Sequence, residues 1–359
     1  MTLVAFGRGN DMAVGRGAVQ VHSPAESADP ELSERIRGRL SRGQRAFVAL
    51  GFRPEEPAVV VVPEAWEVTR ADELPSPATA PRLLRREYDV DDEAFAVAVE
   101  KLLDDLDDRG PLSKVVLGRW LRAWFDAPVS PSALLRALSR RSSRAWSFAL
   151  PLPDGTSLVG ASPELLVNRR GDGMQSCPLA GSAPRHDERS ADDSNAARLL
   201  SSEKDLREHA HVVDDIRTRL TAAGVRLPTE TLPHLLATDS MWHIASAVES
   251  LPTDGLADAL TLAQSLHPTP AVGGTPREAA MERIGELEPT PRGLMTGVVG
   301  WIDSDGDGEF VVTIRSAILD GPRVGLFAGA GIVTGSDPQT EALETAAKLR
   351  TVMAALEEL

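Results

Sequence analysis

Two helical segments each carry a pair of carboxylates three residues apart. Asp205 and Glu208 stand near the start of SEKDLREHAHVVDDIRTRL (202–220), and Glu341 and Glu344 near the start of DPQTEALETAAKLRTVMAALEEL (337–359). That spacing puts both members of a pair on one helix face. Taken alone, either pair suits a solvated first turn, where acidic side chains favour the positive end of the helix dipole. Periodicity argues against this for the first pair: steps of four from Glu208 reach Val212, Ile216 and Leu220, so the carboxylate shares the apolar stripe. A carboxylate facing a core needs a partner. Two such pairs converging from two helices could hold one hard divalent cation through oxygen, as Mg2+ prefers.

Other residues offer acid–base and anion-binding chemistry. In SKVVLGR, alternation puts Lys114 on the face of Val116 and Gly118. An inward lysine could serve as a general base; an outward one would be an edge charge that discourages aggregation. Glu164 follows the tight G-A-S-P turn of LVGASPELLV, where a carboxyl kept from water would hold its proton and could act as a general acid. Arg315 falls mid-strand in FVVTIRSAIL, on the face of Val311, Thr313 and Ala317, and its fork suits a carboxylate. Gly329 and Gly331 in LFAGAGIV would let a ligand approach backbone N–H groups. GAGIVTG has the wrong spacing for a dinucleotide fingerprint. DSDGDGEF (303–310) imitates an EF-hand loop, but its twelfth position is Ile314, so it reads as a hairpin tip.

The elements that must position these residues are legible in outline. ELSERIRGRLSRGQRAFVAL (31–50) has helical spacing, PAVVVVPEAWEV (57–68) reads as a buried strand, and residues 71–90 read as a linker or exposed excursion. DEAFAVAVEKLLDDLDDRG (92–110) predicts an amphipathic helix ending at its glycine. SKVVLGRW (113–120) is a short strand, and residues 145–181 are a run of short strands with PDG and GDG turns. MWHIASAVES alternates like a strand, and residues 293–333 hold three strands. Ser336 is the expected cap of the last helix, with Pro338 in its first turn. Hairpin-linked strands rather than βαβ alternation favour an α+β fold with large antiparallel sheets.

Composition bounds the class. The chain has 359 residues, 42% of them hydrophobic, and a net charge of −15, enough to bury a core without staples. The single cysteine, Cys177, excludes an intrachain disulfide and fits a reducing compartment. No signal-like leader and no long apolar run are expected, so the reading is a cytoplasmic protein without a membrane span. The acidity argues against nucleic acid or an anionic membrane as partner. An anionic substrate would need local positive charge built into its site.

With these residues in view, the sequence resembles the isochorismate synthases of the chorismate-utilising enzyme family, which includes anthranilate synthase component I. The matching phrases run in order from residue 113 to 350: KVVLGR, VGASPELLV, PLAGSAPR, SEKDLREHAHVVDDIRTRL, WHIASAV, LHPTPAVGGTPREAA, ELEPTPRGLMTGVVGW, GDGEFVVTIRSA and FAGAGIVTGSDPQTEALETAAKLR. GFRPEEPAVVVVPE resembles the more variable N-terminal part. The resemblance implies two large antiparallel sheets flanked by helices, with residues 1–90 a variable part of the same fold and 91–359 the chorismate-binding catalytic region.

It also implies roles. Lys114 would activate water for attack at C2 of chorismate, and Glu164 would protonate the departing C4 hydroxyl. Glu208 and Glu344 would ligate Mg2+, with Asp205 and Glu341 holding its waters. Arg315, Gly329, Gly331 and Lys348 would hold the enolpyruvyl side chain and its carboxylate. Gly181, Ser182 and His243 would line the ring-carboxylate end, with Ala271 and Val272 beside the substrate. Relatives that install an amine usually have glutamine where Lys114 stands, and those that eliminate pyruvate to give salicylate have threonine where Ala271 stands. The pattern therefore implies an isomerase of siderophore or menaquinone biosynthesis, the alternatives being a salicylate synthase or an inert metal-binding homologue. One departure is plain: where relatives carry RGxYxG, this chain has Leu294, Met295 and Thr296, and its only tyrosine is Tyr88.

Overall fold

A computed structural model of the chain describes residues 3–23, 25–77, 79–107, 110–239 and 241–359. Sixteen strands form one sheet, fifteen of them hydrogen-bonded in one continuous path and the sixteenth, Leu83–Tyr88, added beside the Lys114 strand, while Leu179–Pro184, Met241–Ser246 and Pro233–Ala237 form a small second sheet. The pairings are antiparallel, as hairpin linkage predicts. Phe47, Val61, Val299 and Val311 from one half of the path share a core cluster with Phe6, Phe148, Leu158 and Phe327 from the other. The path therefore folds over, and the two expected sheets are the facing halves of one. The α+β class holds.

Two long strands carry the continuity. Asp11–His22 pairs with Val59–Arg70 almost throughout, with a bulge between Arg16 and Val19, and bulges bend strands. Helices cover the outer faces. Pro131–Arg141 and Pro338–Glu357 bury Leu134, Leu138, Leu349 and Val352 against one half. Glu203–Ala222 and Ala259–Leu266 bury Val212, Ile216, Leu260 and Leu262 against the other. Asp92–Leu103 and Arg277–Leu287 close over the outer side of the Lys114 strand, against Val115 and Leu117. Among the described residues no helix is long and apolar enough to cross a membrane.

Several elements differ from their expected bounds. The helix expected over 31–50 is only Leu32–Arg37; after a turn at Gly43, φ +82°, the chain enters the strand Arg45–Leu50. Its run Ala46–Leu50 is wholly buried, and an unbroken apolar run suits a strand covered on both faces. The helix expected to reach Gly110 stops at Leu103. Asp104, Asp105 and Asp107 follow it, and acidic residues oppose the negative end of the helix dipole; residues 108 and 109 lie outside the described residues. The stretch 71–90 ends in an exposed strand, Leu83–Tyr88, on the edge of the Lys114 strand. That strand itself runs from Lys114 to Phe125, paired along its length with Arg323–Val333. Asp337, not Ser336, caps the last helix, accepting from Thr340 N. The sequence reading assigned no element to Ala5–Arg8 and Asp11–His22, whose glycines obscure their alternation.

The segment expected to hold three strands holds four, because FVVTIRSAIL breaks. Gly308–Val312 pairs on one half of the folded sheet and Ser316–Asp320 on the other. Arg315 is therefore not mid-strand: it sits in the crossing with φ +50°. That left-handed conformation is uncommon outside glycine and is kept only where surroundings enforce it.

Candidate active site

Lys114 opens its strand with its side chain wholly buried. Its Nζ lies 3.1 Å from Glu208 Oε1 but makes no well-aligned hydrogen bond. Opposite, on Arg323–Val333, Gly331 faces Val116. A Cβ at Gly331 would fall 2.1 Å from Glu208 Oε1 and 3.2 Å from Lys114 Cε. Glycine is thus required here to make room for the amine and carboxylate, a tighter reason than approach to a backbone N–H. Gly329 likewise serves a side chain, its carbonyl accepting from Lys348 Nζ at 2.9 Å.

Glu164 stands just after the strand Ser157–Ser162 and is buried. Burial raises its pKa to about 7, against the opposing pull of the Leu179 N–H, Lys114 and Lys348. A carboxyl that keeps its proton near neutrality is equipped to donate it.

Arg315 is fixed by its own crossing and by His243. Its Nη2 donates to His243 Nε2 at 2.7 Å, and Nη1 reaches Thr238 Oγ1 at 3.4 Å. Burial, then Arg315 and Lys348, hold the His243 pKa well below its usual value, so the imidazole is neutral and accepts through Nε2. Burial also brings Arg315 down to about 10. His243 thus orients the guanidinium as well as lining the cleft.

The carboxylate pairs face the same space from two helices. Ser202 caps the first, as the Asp205 N–H donates to its hydroxyl. Lys204 donates to Glu341 at 2.6 Å, and Lys348 lies 2.7 Å from Glu344, which also accepts from Ser182 at 3.1 Å. Asp205 is raised by burial and by the charges of Glu208 and Glu344; Glu341 is raised to about 6 by burial and by Glu344. Burial opposes ionisation of Glu344 too, yet Lys348 leaves it below its ordinary value. Asp205 thus feels the negative charges of Glu208 and Glu344, and Glu341 that of Glu344, each partly offset by Lys204. Among the described residues, no three acidic, cysteine or histidine side chains close on a common point as they stand.

Most of these groups border one cleft. Every residue singled out from the sequence lines it except Lys114, Asp205 and Glu341, which stand behind its wall through the contacts above. Gly181, at φ +79°, passes Asp205 and Ile244 too closely for a side chain to fit easily. Ala271 and Val272 form part of the ring of apolar wall with Val116, Phe327 and Leu349. The sequence reading missed Lys204 and Thr238, and it named Thr296 only as a departure from RGxYxG. Lys204 looks like any polar helix residue, and Thr238 gives no local signal; Thr296 lay within a quoted phrase but betrays its φ of +59° only in three dimensions.

The family model described as chorismate binding enzyme matches residues 53–357. The isochorismate synthase DhbC of Bacillus subtilis is 44% identical over 270 residues, covering 74% of this chain and 68% of that protein. The isochorismate synthase EntC of Escherichia coli K12 is 37% identical over 346 residues, covering 94% and 88%. The crystal structure of a putative 2,3-dihydroxybenzoate-specific isochorismate synthase, DhbC from Bacillus anthracis, superposes with a TM-score of 0.87 at 34% identity, covering 99% of this chain and 96% of that one. This chain belongs to the chorismate binding enzyme family.

Proposed function

We propose that the chain is an isochorismate synthase, an isomerase that converts chorismate to isochorismate with Mg2+. The observation that carries the chemistry is a buried amine, held behind the cleft wall against Glu208, and a proton-holding carboxyl on a cleft that also carries the cations Arg315 and Lys348. Lys114, as the neutral amine, accepts a proton from water as the water oxygen bonds to C2, becoming the ammonium. The ring double bonds shift, and Glu164 gives its proton to the C4 hydroxyl, which leaves as water. One water enters and one leaves, so the product is an isomer. The proton gained at Lys114 and the one lost from Glu164 are re-exchanged with solvent.

Binding follows from charge. Arg315, oriented by His243, and Lys348 suit the enolpyruvyl carboxylate, which answers the repulsion expected from a chain of net charge −15. Gly181, Ser182, Ala271 and Val272 suit the ring. The repulsion that Asp205 feels from Glu208 and Glu344, and Glu341 from Glu344, fits a divalent cation: Glu208 and Glu344 would hold it, with Asp205 and Glu341 on its waters. When bound, it would supply positive charge for the ring carboxylate. Lys114 in place of glutamine favours water over ammonia, and Ala271 in place of threonine favours stopping at isochorismate. We assign the chain to the cytoplasm, with no nucleic-acid or membrane partner.

The test is incubation with chorismate and Mg2+ and identification of products by NMR. Isochorismate alone is expected; salicylate with pyruvate would make the chain a lyase, and unconsumed chorismate would make it inert. A chelator is expected to stop turnover reversibly, and undiminished rates would remove the metal from the account.

A further inference from the structure

Arg292 does not line the cleft, yet what it touches does. It lies between the helix Arg277–Leu287 and the strand Val298–Asp303 and is 3% exposed. Nη1 donates to Val272 O at 2.7 Å and Thr296 Oγ1 at 3.2 Å; Nη2 donates to Val116 O at 2.8 Å. Val116, Val272 and Thr296 each line the cleft. The remaining donors go to Glu288: Nε to Oε2 at 2.8 Å and Nη2 to Oε1 at 2.5 Å. All five guanidinium protons are thereby used. Glu288 Oε1 in turn accepts from Gly118 N at 2.8 Å, and the guanidinium stacks 4.1 Å from the Phe52 ring and 5.0 Å from that of Phe327, another wall residue.

We infer that the Glu288–Arg292 pair is a positioning device for catalysis: it locks the Lys114 strand, the Ala271–Val272 wall and the left-handed turn at Thr296 in one register. The geometry is specific to a planar fork. Val116 O and Val272 O belong to segments that pair just beyond this point through Gly274 and Thr275 with Val115 and Lys114 and through Val116 N to Gly273 O, and the fork holds both to one rigid group. Lysine, with a single donor atom, cannot span both acceptors, Thr296 and Glu288 together. A base displaced by an ångström loses its alignment with the water it must activate, while the groups that bind the substrate carboxylate, Arg315 and Lys348, stand elsewhere.

The inference rests on the isochorismate synthase reading, and the wild-type enzyme separates the two: without isomerisation by wild type the reading fails, whatever the variants do. Given wild-type turnover, Arg292→Lys is expected to lower kcat at least tenfold with KM within twofold. Leu134→Ala, a core truncation in the helix Pro131–Arg141, serves as the stability control; its unfolding midpoint should fall at least as far with kcat unchanged. Glu288→Gln, which keeps the shape but weakens the hold on the fork, is expected to lower kcat about threefold and stands in if Arg292→Lys does not fold. A kcat within twofold of wild type for a folded Arg292→Lys, or for Glu288→Gln in its stead, would overturn the inference. So would a loss of kcat that tracks the unfolding midpoint equally in the Leu134→Ala control.

Discussion

The cleft and its frame both contain ion pairs, but they are built from different cations. At the cleft and just behind its wall the carboxylates meet lysines: Glu208 meets Lys114, Glu341 meets Lys204 and Glu344 meets Lys348. In the frame they meet arginines: Glu288 with Arg292, and Asp92 with Arg119, which also donates to Thr345 Oγ1 and to the carbonyls of Ala342 and Val90. Lysine offers a compact charge on a flexible stem that can release its partner or its proton; arginine keeps its charge and fixes several acceptors at once. The cleft therefore uses the pair that can be exchanged for substrate or cation, and the frame the pair that cannot. The Lys114 strand runs between the two, with Lys114 and Val116 toward the cleft and Arg119 toward the last helix.

The comparison can be broken most severely at Lys114. Lys114→Ala is expected to abolish measurable turnover, a loss of roughly 10²–10⁴ or more for a missing general base, while chorismate still binds by calorimetry. Full activity would take lysine out of the mechanism. Glu164→Gln is expected to lose a similar factor in kcat. The wild-type rate should fall as pH rises above about 7, where Glu164 loses the proton it must give; a flat profile from pH 6 to 9 would deny it the role of acid.

The same shift has a stability consequence of definite sign. Glu164 holds its proton more tightly in the folded chain than its ordinary value of 4.5, so its contribution to stability is full below about pH 4.5 and lost as pH rises through about 7. Glu164→Gln is therefore expected to unfold at a higher temperature than wild type at pH 8, with the difference shrinking toward pH 5. Equal differences at both pH values would contradict the burial argument. Next in size, Arg315→Lys should lower kcat/KM by about 10–100-fold, the worth of a charged bidentate contact, read in steady-state kinetics. The smallest effect belongs to the frame's exposed partner. Asp92→Asn should cost less than about 1 kcal/mol by denaturant titration and leave kcat unchanged, because the Asp92 side chain is 62% exposed.

Much of the cleft was legible in the sequence because its residues recur in ordered phrases and because Glu208 breaks the polarity rule of its helix. The α+β class followed from hairpin-linked strands. What escaped was whatever depends on distant pairing. Arg315 looks mid-strand in FVVTIRSAIL, since alternation continues through it, and only the exchange of partners between two halves of a sheet reveals the break. Gly331 looks like a ligand-approach glycine until Lys114 and Glu208, more than a hundred residues upstream, are seen to fill the space. Arg119 and Arg292 reveal little in the sequence, because each also fastens backbone carbonyls of segments remote in the chain: Ala342 for Arg119, and Val116 for Arg292.

The central claim is that Lys114 delivers a water oxygen to C2 while Glu164 releases the oxygen at C4. Turnover of chorismate in ¹⁸O-labelled water, with the product's C2 oxygen read by mass spectrometry and NMR, tests it most directly. The account predicts isochorismate carrying one solvent oxygen at C2; isochorismate that retains the original C4 oxygen would contradict it.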